Sequence, residues 1–146
     1  MINNDTVYIH FGRDKFEFNK FEKVENCIYY PYKPVIGGYW ASPEDSKYNW
    51  ANTFNLDNTQ KRFITRFKLK DNTRVLKIVE EKDLENLPIL PNNDKDSKAF
   101  DYEKISDIYD VIYYDPLDKE KMNSLLPCWD CECIYVMNPN VIVMIE

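Results

Sequence analysis

Between residues 61 and 69 apolar and polar positions alternate. Phe63, Thr65, Phe67 and Leu69 fall on one face of an extended segment, and Arg62, Ile64, Arg66 and Lys68 on the other. A period of two predicts a strand. Asp71-Asn72-Thr73 reads as a turn, and Val75–Ile78 as the partner strand of a hairpin. Residues 7–11 form a short β-prone run that stops at Gly12, and Val111–Tyr114 is a wholly apolar strand. Residues 131–137 are rich in β-formers; Asn138-Pro139-Asn140 ends that strand, and a second apolar run, 141–145, folds back. Helix signals separate these runs. Ser42 reads as an N-cap, Pro43 as the first helical position and Glu44 and Asp45 as first-turn acids of a helix to about Thr53 that carries Tyr48 and Trp50. Residues 83–87 make a short helical piece ended by Pro88. Asp101 caps a helix to about Tyr109 with Ile105 and Ile108 inward, and 117–126 is a helix stopped by Pro127. Residues 13–36, charged and aromatic, read as an irregular connection with one helical turn, and 91–98 as a solvated loop. There is no repeat and no linker. The expected architecture is a single α+β domain over residues 1–146, with about six short, mostly antiparallel strands and three or four short helices.

Composition narrows the functional classes. A chain of 146 residues can bury a sizeable core without staples, and 44% hydrophobic with 30% charged residues is a globular balance. A net charge of −6 argues against a nucleic-acid partner, since phosphate backbones need clustered Lys and Arg. It leaves open a small anion held by backbone amides. With a polar start and no apolar run of membrane length, the expected setting is a cytoplasm, reached directly or by delivery, with no membrane partner. Four cysteines suit reduced thiols. Cys128, Cys131 and Cys133 crowd together, which makes zinc a candidate. With no second knuckle, and with the single histidine, His10, far away in sequence, they read as buried thiols with no metal. Only three glycines occur, Gly12, Gly37 and Gly38, all beside the first two strands. Clustering of so sparse a residue suggests a ligand close to the backbone.

Glu132 heads a strand whose other members want burial. A carboxylate there either faces solvent or is a placed group aimed into a cleft. Three segments bear on the choice: Tyr8-Ile-His10-Phe-Gly12, then Gly38-Tyr39-Trp40-Ala41-Ser42 with Trp50 eight residues on, then Glu132-Cys-Ile-Tyr-Val136. Together, and in this order, they resemble the ADP-ribosyltransferase superfamily, in the His-Tyr-Glu branch typified by diphtheria toxin and the poly-ADP-ribose polymerases. The resemblance implies a split-sheet fold and an NAD-dependent mono-ADP-ribosyltransferase, with NAD as substrate, no metal, and a protein side chain or water as acceptor. It implies Glu132 as the catalytic carboxylate and His10 as a hydrogen-bond partner of an NAD ribose. By the same resemblance Gly12 holds the carboxamide, Tyr39 and Trp50 sandwich the nicotinamide, and Ser42 lies in the cofactor-binding strand. Trp50 departs from the tyrosine usual at its position. Asp130, two before Glu132, is a weaker candidate for orienting an acceptor. The competing reading is a non-enzymatic acidic binding domain, in which the aromatics are core or interface anchors.

Overall fold

The computed structural model describes residues 3–12, 14–50, 63–91 and 98–145. Among the described residues seven strands form one sheet: β1 (Tyr8–Gly12), β2 (Tyr39–Pro43), β3 (Phe63–Leu69), β4 (Val75–Ile78), β5 (Val111–Tyr114), β6 (Cys133–Val136) and β7 (Ile142–Ile145). Their order across the sheet is β4-β5-β6-β2-β1-β3-β7, and every pairing is antiparallel except β4 with β5. Two α-helices occur among the described residues, α1 (Tyr102–Ile108) and α2 (Lys119–Leu125). Each is capped by an aspartate, Asp101 and Asp118, whose side chain accepts the backbone N–H of Lys104 and Lys121 respectively. No helix among the described residues is long and apolar enough to cross a membrane.

The sheet is curled, and chain connectivity requires it. In a flat sheet β4 and β3 would stand about 24 Å apart, five strand spacings. The linker 70–74 reaches about 20 Å only when fully extended. It is not extended, because the Thr73 N–H closes a turn on the Lys70 carbonyl at 3.2 Å. Both faces of the central strands are consequently buried. Ile112 and Tyr114 of β5 and Tyr135 of β6 pack with Phe100, Ile105, Met122, Leu126 and Trp129. The alternate residues Val111, Tyr113, Ile134 and Val136 pack with Tyr8, Phe67 and Ile142. Burial on both faces explains why these strands are continuous apolar runs rather than alternating ones.

Several expectations are corrected. The segments 61–69 and 75–78 are both strands but not a hairpin: β3 pairs with β1 and β7, and β4 runs parallel to β5. The crossover 79–110, with a 3-10 turn and α1, is the long connection that parallel strands require. The last strand likewise returns to β3, not to β6. Ser42 and Pro43 do not begin a helix. Strand β2 continues through Pro43, opposite Tyr8, and residues 44–49 turn before helical conformation appears at Trp50. Residues 51–62, where the rest of that expected helix falls, lie outside the described residues, as do 92–97 of the expected loop. The piece expected at 83–87 is a 3-10 turn, Glu81–Leu84. In α1, Ile105 is buried but Ile108 is exposed. The single helical turn expected in 13–36 is a 3-10 turn, Phe18–Lys20.

The paired glycines have a structural cause different from a ligand. Gly37 and Gly38 adopt φ of +73° and +71°, the left-handed region that glycine enters without cost. A Cβ on Gly38 would lie 2.2 Å from Cζ of Tyr135, and one on Gly37 would lie 2.0 Å from the Lys23 carbonyl oxygen. The close approach comes from the protein itself. The Tyr135 hydroxyl donates to the Gly37 carbonyl at 2.6 Å, locking this turn onto the centre of the sheet.

Candidate functional site

The β1–β2 ladder is short. Tyr8 pairs with Pro43 and Ile9 with Ser42, after which β1 stays with β3, His10 opposite Thr65. Where the two strands part, the His10 ring reaches across, with Nδ1 2.5 Å from the Trp40 carbonyl oxygen. A carbonyl only accepts, so Nδ1 carries the proton and Nε2 is left as the acceptor. Burial holds the His10 pKa below its usual 6.5, opposed in part by the Trp40 carbonyl. The neutral ring stacks on Tyr39, centroids 4.2 Å apart. Tyr39 also rests on Phe16 and Phe67, and burial raises its hydroxyl to about 12. That hydroxyl sits beside Thr65 without completing a hydrogen bond.

The opening between the strands leads into a cavity of about 260 Å³ lined by His10, Trp40, Ser42, Trp50, Trp129 and Cys131, with Lys33 and Asp130 also on its wall. All three tryptophans of the chain thus meet in one place. The Ser42 hydroxyl accepts the Trp50 backbone N–H at 3.1 Å, so the serine does cap, but from eight residues back. Gly12 ends β1 beside His10; a Cβ there would lie 2.8 Å from Nε2. Gly12 and Tyr39 lie outside the lining of this cavity.

Glu132 is 9% exposed, which rules out the solvent-facing alternative. Its backbone N–H donates to the Tyr48 carbonyl at 3.0 Å, fixing the entry to β6. The Tyr113 hydroxyl donates to Glu132 Oε2, with Asp115 Oδ2 3.3 Å away on its other side. Burial first, and then the hydrogen bond to Glu132 and its charge, push the Tyr113 hydroxyl far up; burial and the Glu132 charge raise the Asp115 carboxyl. Glu132 opens on a second cavity of about 290 Å³, shared with Tyr48, Asp115 and Lys119. The Lys119 ammonium sits 3.7 Å from the centre of the Tyr48 ring. Trp129, Asp130 and Cys131 line both cavities and form the ridge between them.

The structure therefore brings His10, Ser42 and Trp50 together in the first cavity and puts Glu132 on the second, one ridge away. Tyr39 backs His10 instead of lining a cavity, so it does not face Trp50 across the first one as a sandwich would require. Sequence reasoning missed Tyr113, Asp115 and Lys33. The signal for the first was available, since a buried carboxylate demands a donor and Tyr113 is one of two hydroxyls in an otherwise apolar strand.

The cysteines divide. Cys131 and Cys133 are buried, but Cys128 is exposed, contrary to the expectation of three buried thiols. Cys128 has φ of +70° and accepts the Tyr30 hydroxyl at 2.5 Å. The Cys133 thiol, hydrogen-bonded to Cys131, is held well above its usual range while Cys131 is lowered. Among the described residues no group of three His, Cys, Asp or Glu side chains is arranged to hold a metal. Comparison with family models, with curated proteins and with solved structures found no match.

Proposed function

We propose that this chain is an NAD-dependent mono-ADP-ribosyltransferase on a split-sheet fold, which cleaves the bond between nicotinamide and ribose and passes ADP-ribose to a protein side chain or to water. One observation carries the reading. The three motif strands, although spread from residue 8 to residue 136, are consecutive neighbours in the sheet, in the order β6-β2-β1. Their side chains line two cavities that share one wall. A two-nucleotide substrate suits such a pair, with the nicotinamide ring among the tryptophans and the adjoining ribose turned toward Glu132.

Cleavage leaves positive charge on the ribose, an oxocarbenium-like transition state comparable to that of glycoside hydrolysis. Glu132, fixed by Tyr113 and by its own backbone bond, offers a carboxylate whose attraction grows with that charge, so it lowers the barrier selectively. His10 Nε2, free as an acceptor, takes a ribose hydroxyl. Trp50, on the wall of the first cavity, offers an aromatic surface to the pyridinium cation before the bond breaks. In this reading Tyr39 positions His10 by stacking, and Gly12 gives the space that His10 Nε2 needs.

The test is nicotinamide release from NAD by the purified chain, with and without cell lysate, compared with Glu132→Gln. The amide keeps the volume and still accepts from Tyr113. A loss of about 10²-fold is expected for removing one electrostatic stabiliser. Release by the variant within threefold of wild type, or none by wild type, overturns the assignment.

A further inference from the structure

Among the described residues Lys33 is the cation on the wall of the tryptophan-lined cavity, in a chain of net charge −6. It is half-buried, and its ammonium lies 4.7 Å from the Trp40 ring centre. Among the described residues it meets no carboxylate; what sets it apart from the other unpaired lysines is its place on the cavity wall against an aromatic ring. Asp130 shares the cavity but does not come within ion-pairing reach of it. The Cys131 thiol, lowered chiefly by its hydrogen bonding with Cys133, also feels the Lys33 charge. The Trp40 ring face is worth about 0.5–1 kcal/mol to a cation at a partly exposed site, which leaves the ammonium able to take an anion as well. A cation so placed beside flat aromatic walls fits a ligand that combines a planar ring with an anionic group.

We propose that Lys33 is the phosphate-binding residue of this cavity, taking the pyrophosphate of a dinucleotide whose ring stacks among the tryptophans. The inference rests on the transferase reading for the identity of the dinucleotide, but the anion site can be tested apart from it. Binding of ADP-ribose and of nicotinamide riboside, which lacks phosphate, is measured calorimetrically on the full chain for wild type, Lys33→Gln and Lys33→Arg. A charge-assisted contact is worth about tenfold in affinity. Lys33→Gln should therefore weaken ADP-ribose by about that factor and nicotinamide riboside by less than twofold, while Lys33→Arg stays near wild type. Equal losses for both ligands would mark Lys33 as a packing residue, and no loss would leave it without a role; either result overturns the proposal. If wild type binds ADP-ribose with this dependence on Lys33 but releases no nicotinamide from NAD, the anion site stands and the transferase reading falls. If wild type binds no ADP-ribose, the anion site falls, whatever the turnover.

Discussion

Asp110 ties together three parts of the chain that meet at one end of the sheet. Its carboxylate accepts the Arg74 backbone N–H at 2.9 Å, the Arg74 guanidinium at 2.9 Å and the Asn138 amide at 3.0 Å. Its carbonyl takes the backbone N–H groups of Met137 and Asn138. The linker into β4, the start of β5 and the turn between β6 and β7 are thus pinned to one side chain. The Arg74 guanidinium above all, then Asn138 and the Arg74 backbone, hold the carboxyl near 2 against its ordinary 3.8. Before solvent screening, a carboxyl lowered from 3.8 to about 2 contributes about 2.5 kcal/mol. Arg74 is half-exposed, so solvent screening brings the expected contribution to about 1–2 kcal/mol. The sign follows from the depressed folded value. The stabilisation is complete above the unfolded pKa near 3.8 and disappears as pH falls through about 2. Asp110→Asn should be less stable than wild type by about 1–2 kcal/mol in urea titrations at pH 7. That gap should narrow below pH 4 and close near pH 2, since every other acid titrates alike in both proteins. A gap that stays constant from pH 7 to pH 2 would refute the reasoning, because it would assign the loss to altered packing and not to charge.

Two further outcomes follow from the geometry. Gly38→Ala puts a Cβ 2.2 Å from the Tyr135 ring at a left-handed φ; it should cost at least about 2 kcal/mol in a denaturant titration, and a change under 0.5 kcal/mol would sink this account of the turn. In the native protein a maleimide should label Cys128 while Cys133 reacts only after denaturation, as peptide mapping would reveal, and early labelling of Cys133 would contradict its burial.

The strands were legible because their signal is local. The period of two at 63–69 and the apolar runs at 111–114 and 133–136 depend on neighbouring residues alone. Their partners were not legible. The turn after β3 is real, with the Thr73 N–H on the Lys70 carbonyl, yet it serves a crossing between opposite regions of a curled sheet. What decides the pairing is that β5 offers β4 a second wholly buried face, a property of strands more than thirty residues away. Turn chemistry at 71–73 is the same in either case. The misread helix at 42 has a related cause. Ser42 is an N-cap by chemistry, and its hydroxyl does accept a helical N–H, that of Trp50. Strand pairing of Ser42 with Ile9 overrode the local preference of Pro43 for a helix start and pushed the turn along to 44–49.

Glu132 separates what residue type can reveal from what packing must supply. Its place in an apolar run announced a polar group at odds with its neighbours, but the run said nothing about the donor that would satisfy it. That donor, Tyr113, lies on β5, opposite Ile134, and becomes a neighbour only once β5 and β6 are known to pair. A contact whose sole task was to hold two strands would be served as well by a pair of apolar side chains, because burying a carboxylate costs more than one hydroxyl returns. Asp115 stands beside the same hydroxyl, and burial and then the Glu132 charge raise its carboxyl. A carboxylate held rigid, almost covered and next to a like charge gains most from a positive charge brought to the cavity it lines. An oxocarbenium ion at the ribose is such a charge. A carboxylate fixed in that position by Tyr113 is for that reason matched to the proposed transition state.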